Sequence, residues 1–275
     1  MKVNTAVVDA YIRAEDLSPF AQLWLYEQET DAGRENIFTQ PESSEEKRRQ
    51  VEQIKTEMLT YLQNFEPCNV RLWDALFETW RPSIEQTEVD LVVGCPELYD
   101  AFVKRDTRGQ AHMIFDLLNW EKYLGHYPIT DLVQNLLSHE LMHVQIGQVM
   151  PDIEAAEERG SYLEKLDAIT FNEGFAHLLS YEIKGLETVD WATPAMQEVY
   201  TKAQSQMRAA LQAQDPAQQA DFVQKANFGQ YTDKYACMCG MIYLGQMWQK
   251  GGYPALKQLF EEGYKGFAAK TLQLP

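Results

Sequence analysis

Ser138-His139-Glu140-Leu141-Met142-His143 is the stretch on which the reading of this chain turns. Just upstream, Thr130 reads as a helix N-cap with Asp131 in the first turn. Leu132, Val133, Leu136, Leu137, Leu141 and Val144 put apolar side chains around most of that helix, so it is expected to be buried. Gly147 to Pro151 should end it. His139 and His143 stand four apart, and residues so spaced share a face with Cβ atoms about 5–6 Å apart. Two imidazoles there can reach one Zn²⁺ at about 2.0–2.1 Å. Glu140 stands beside such an ion rather than on it, where a carboxylate can take a proton from activated water. The His-Glu-x-x-His pattern also arises by chance, with a structural His pair as the plain alternative. Two of the five histidines fall in it, however. Burying them with Glu140 and Ser138 is costly without a partner, and a bound cation accounts for that burial.

Working outward, the chain before this helix reads as helices followed by a small sheet. Phe20 to Tyr26 is a weak helical stretch. Ser43 with Glu46 reads as a capping box. Val51, Ile54, Met58, Leu62 and Phe65 then recur at helical spacing, which predicts an amphipathic helix over 44–64. A short helix is expected from Leu72 to Trp80, stopped near Pro82. Val89 to Val93, ended by Gly94, and Ala111 to Leu117 read as two strands of one sheet, with a polar turn over Lys104 to Gly109. After the metal helix the pattern is helical: Ser161 to Tyr181, a helix opened by Asp215-Pro216, residues 231–250 stopped by Gly251-Gly252, and a last helix from Pro254 to about Gly263. Ala236, Gly240 and Gly245 are small enough for close helix packing. These elements predict an α+β fold, mostly helical, with an N-terminal helical region over 1–87 packed on a core over 88–275 as one continuous domain.

Composition narrows the function classes. A formal net charge of −17 repels phosphate backbones and anionic lipid, so neither nucleic acid nor a membrane surface is expected as a partner. No apolar run reaches membrane-spanning length, and Met1 to Leu17 lacks the apolar segment of a signal peptide, which implies a cytoplasmic protein if Met1 is the natural start. Cys68, Cys95, Cys237 and Cys239 lack a disulfide or metal spacing. Residues two apart on a helix do not face each other, so the Cys-x-Cys pair is read as buried thiols.

A catalytic zinc needs a third protein ligand. Downstream stands Phe171-Asn172-Glu173-Gly174-Phe175-Ala176-His177. The Asn-Glu-Gly-Phe-Ala segment resembles the third-ligand helix of the gluzincin metallopeptidases, such as the aminopeptidase N and peptidase-MA-like families. The resemblance implies a zincin-like catalytic core, Zn²⁺ as cofactor, His139, His143 and Glu173 as ligands, Glu140 as general base, and a peptide or protein as substrate. Glu164 and Asp167 on the same helix are alternative third ligands. Twenty-nine residues separate His143 from Glu173, longer than is usual in those families, so 151–160 reads as an insertion able to hold one short helix. His177 stands where thermolysin-like enzymes carry an acid that supports a zinc ligand; it is expected to orient Glu173, to contact substrate, or simply to pack. Tyr235, with Tyr231 as runner-up, corresponds to the residue that stabilises the oxyanion in many gluzincins. By the same analogy, the strand over 111–117 is the edge on which extended substrate would pair. His112 and His126 read as ordinary. A regulatory protein that keeps the metal site, and a zinc hydrolase of a non-peptide amide, remain the other readings; oligomeric state is not legible.

Overall fold

The computed structural model describes residues 1–30, 33–97, 99–181 and 185–273. In chain order the first elements are β1 (Lys2–Asn4), α1 (Ala6–Ile12), the paired strands β2 (Glu27–Thr30) and β3 (Gly33–Asn36), and α2 (Glu45–Leu62). Next come α3 (Val70–Leu76), α4 (Arg81–Gln86), β4 (Glu88–Val92), β5 (Ala101–Arg105) and β6 (Ala111–Asp116). The rest is helical: α5 (Ile129–Val149), α6 (Ile153–Arg159), α7 (Tyr162–Ser180), α8 (Pro194–Gln212), α9 (Pro216–Asn227), α10 (Tyr235–Glu262) and α11 (Phe267–Lys270). The fold is therefore α+β and mostly helical, with a small sheet. Among the described residues no helix is long and apolar enough to cross a membrane.

The chain divides into two compact units, one of residues 1–66 and 81–140, the other of 67–80 and 141–275. The division falls inside α5, which is an unbroken helix at that point.

The first unit is built on a four-stranded sheet in the order β1-β4-β6-β5. β1, β4 and β6 run parallel, and β5 pairs antiparallel to β6. Every residue of β6 is buried, as expected of a strand paired on both sides. This corrects the expected edge: β6 is interior, and the edge beside it is β5, built from Ala101-Phe102-Val103 and the first residues of the presumed polar turn. α2 buries Val51, Ile54, Met58 and Leu62, the predicted stripe. Its cap is Ser44, whose hydroxyl accepts from the Lys47 amide, rather than Ser43, which takes an Arg48 guanidinium instead. Phe20 to Tyr26 supplies only two single 3-10 turns, Ser18–Phe20 and Trp24–Tyr26. Pro82 opens α4 instead of ending α3, as its missing amide donor allows in a first turn.

In the second unit α7 is the central helix, packed by α6, α9, α10 and α11. From Leu166 to Ser180 almost every residue of α7 is buried, with Phe171 and Phe175 against Phe260 and Phe267. The close crossing of α7 and α10 depends on glycine at both contacts. A Cβ on Gly240 would lie 2.3 Å from the Thr170 carbonyl oxygen, and one on Gly174 would lie 2.8 Å from the Gly240 Cα. α10 breaks at Gly252, whose backbone (φ 63°, ψ −158°) is outside the range of L residues, just before Pro254. The expected short helix in 151–160 is α6.

Candidate metal centre

α5 carries the His-Glu-x-x-His residues as the sequence requires. Ser138, Leu141, Met142 and Val144 are buried, whereas Leu136, His139, Glu140, His143 and Gly147 are partly exposed and fall in one i, i+3/i+4 row. The helical period thus gives both imidazoles and the carboxylate one common stripe.

α7 supplies the acid. Of its three candidate carboxylates, two have structural employment. Glu164 closes a capping box with Ser161 at the helix start. Asp167 accepts the amides of Gly266 and Ala268 at 2.7 and 3.0 Å, satisfying donors at the start of α11. Glu173 is the one that meets histidine. Its Oε1 lies 4.0 Å from His143 Nε2, and its Oε2 lies 3.4 Å from His177 Nε2. His177 is one turn after Glu173 on α7, and both are largely buried.

His139 sits one turn before His143 on the unbroken α5. Within the second unit, Glu173 and His177 present ligand atoms 3.4 Å apart, with His143 on the other carboxylate oxygen.

His143 is held by a relay that the sequence did not announce. Its Nδ1 lies 2.8 Å from Asn172 Oδ1, and Asn172 Nδ2 donates to Glu157 Oε1 at 2.7 Å. The Glu157 contact fixes which end of the amide faces His143. The amide oxygen can only accept, so Nδ1 carries the proton and Nε2 presents its lone pair on the Glu173 side. Burial pushes the Glu157 carboxyl up to about 7, with the Asn172 hydrogen bond and the neighbouring His143 opposing it. Asn172 adjoins Glu173 within the segment quoted above, which was its only signal; Glu157 belongs to α6, and no local pattern pointed to it.

Around Glu173 stand two further donors, Asn227 Nδ2 at 3.5 Å and the Cys237 thiol at 3.8 Å. Burial and the Glu173 charge push that thiol up, so it is a neutral neighbour. Cys239 faces away, toward Thr271, as the two-residue helical spacing predicted. None of the four cysteines forms a disulfide. The Tyr235 hydroxyl donates to the Phe222 carbonyl at 3.0 Å, and burial pushes it up. Tyr231 instead sets its ring edge-on to His177 at 5.3 Å between centroids.

The donor chemistry suits a divalent first-row transition ion, for which imidazole and carboxylate are ordinary ligands. The spacing suits it too. Two ligand atoms on a tetrahedral zinc with bonds of about 2.0–2.1 Å lie about 3.4 Å apart. The His177–Glu173 separation of 3.4 Å has that value, outside the usual N–H···O range of about 2.7–3.2 Å.

Set against family models, curated proteins and solved structures, the chain matches none.

Proposed function

We propose that the chain is a zinc-dependent hydrolase, a metallopeptidase of zincin-like design acting on peptide or protein substrates. The observation that carries this reading is the approach of α5 and α7 histidines to the two oxygens of Glu173, with Glu140 on the same stripe of α5. His139, His143 and Glu173 would hold the ion. A zinc ion held there supplies Lewis acidity, lowering the pKa of water to about 7 and polarising the amide carbonyl. Glu140 takes the proton from the attacking water and delivers it to the leaving amine. Asn172 and Glu157 keep His143 in the tautomer that coordinates through Nε2. A tyrosine hydroxyl donates to the oxyanion. Tyr235 and Tyr231 are the two candidates: the Tyr235 hydroxyl donates to the Phe222 carbonyl, and Tyr231 lies against His177 with its hydroxyl on the Met241 sulfur at 3.6 Å.

The acidic surface, at a net charge of −17, supports a neutral or basic substrate and argues against nucleic acid and anionic membrane as partners. The absence of a disulfide among the cysteines is in keeping with a cytoplasmic location.

Glu140→Gln tests the mechanism, because the amide keeps the shape but cannot take the proton. On a peptide library cleaved by the zinc-loaded wild type, the variant should bind zinc equally and lose turnover by on the order of 10²–10⁴-fold. Wild-type turnover in the variant would remove Glu140 from the reaction.

A further inference from the structure

The geometry points to His177 as a direct ligand of the same metal, giving a set of three imidazoles and one carboxylate rather than the two-His-one-Glu set. This rests on the proposed metal site and extends it.

Three observations converge. First, His177 Nε2 and His143 Nε2 approach different oxygens of one carboxylate, so Glu173 stands between two imidazoles instead of facing one. Second, His177 is the nearer of the two, at 3.4 Å against 4.0 Å. Third, His143, Glu173 and His177 all belong to the second unit, so the two imidazoles and the carboxylate between them share one compact body. His177 is also held in place: it is buried on α7 and its ring is met by the edge-on contact with Tyr231.

The consequence is chemical. Four protein donors complete a tetrahedral shell, so an ion retaining an open position must accept five or more ligands. Co²⁺, Fe²⁺ and Ni²⁺ do so readily, and Zn²⁺ expands to five in some catalytic sites. The site is therefore expected to bind these divalent ions as well as zinc, with His177 contributing to each.

X-ray absorption at the zinc edge of the full-length, zinc-loaded protein counts the imidazoles, and competition with a chromophoric chelator gives the dissociation constant. Wild type should show three imidazoles and His177→Ala two. Zinc affinity in His177→Ala should fall by more than the roughly 10–100-fold that loss of a supporting residue costs. His177→Gln is the second variant: a glutamine can hydrogen-bond Glu173 but replaces an imidazole ligand poorly, so it should behave like the alanine form. Circular dichroism confirms that both variants fold. Two imidazoles in wild type, unchanged in His177→Ala, would overturn the inference while leaving the metal-site reading intact. Recovery of affinity in His177→Gln would likewise reduce His177 to a hydrogen-bonding neighbour. Failure of wild type to bind zinc at all would overturn both.

Discussion

The protein buries histidine beside carboxylates in two places, and the two differ in kind. In the first unit, His112 on β6 sits 2.6 Å from Asp90, with Glu88 and Asp106 oxygens 3.7 and 3.8 Å from its other nitrogen. Asp90 also accepts from Asn4 at 2.7 Å, and Asp106 is bound by Arg108 and two backbone amides. That cluster is a polar knot across strands, made because parallel pairing sets His112 opposite Glu88. In the second unit, His143 and His177 flank Glu173 at 4.0 and 3.4 Å, while Asn172 and Glu157 steady His143 from behind. In the sheet, imidazole and carboxylate touch directly, at 2.6 Å between His112 Nδ1 and Asp90. On the helices they are held apart, and the nearer pair stands at the spacing of two ligands on one ion. Identical residue types thus serve architecture where they touch and suit a ligand where the backbone keeps them from touching.

The largest effect that would sharpen this contrast is on metal affinity. Glu173→Ala should weaken zinc binding by well over the about 10–100-fold of a supporting residue, whereas His112→Ala and Asp167→Ala should leave it unchanged. Zinc dissociation constants for the three variants check this. Loss of metal in Asp167→Ala with retention in Glu173→Ala would reverse the assignment.

The His112 cluster should instead answer in stability. Asp90→Ala leaves the buried imidazole Nδ1 without its hydrogen-bond partner, which costs about 1–3 kcal/mol. Urea unfolding should show that loss, with zinc affinity at the wild-type value. A stability change below about 1 kcal/mol would mean that the 2.6 Å contact contributes little net energy.

A smaller effect belongs to the relay. Asn172→Ala removes the acceptor that sets the His143 tautomer and should cost about 10–100-fold in zinc affinity, with fold retained by circular dichroism. Unchanged affinity would show that His143 needs no help to present Nε2.

How far the sequence carried these conclusions depends on the range of each interaction. The α5 stripe was legible because the helical period alone puts His139, Glu140 and His143 together. The helix over 44–64 was legible for the same reason, from its apolar spacing, whereas the capping box of Ser161 with Glu164 went unread: Glu164 reads in the sequence as a candidate ligand. Glu157 was invisible: it reaches Asn172 from a different helix, and no local pattern encodes a contact between α6 and α7. The role of His112 was hidden likewise, since Glu88 and Asp90 come to it only through the pairing of β4 with β6. β5 was missed whole: Ala101 to Val103 reads as no element, and Lys104-Arg105 reads as turn until Ala111 and His112 are seen opposite it. Tyr231 beside His177 and Tyr235 turned to Phe222 were not legible, because a 3-10 turn over Tyr231–Asp233 separates Tyr231 from α10 and both contacts are made with other helices.

The central claim is that the stripe on α5 and the acid on α7 make a metal site. Elemental analysis of the purified full-length protein, after zinc reconstitution and removal of excess ion, tests it most directly. The account predicts one tightly held zinc per chain in wild type, lost in His143→Ala and in Glu173→Ala. A wild-type protein with near-zero zinc, or equal zinc in all three, would contradict it.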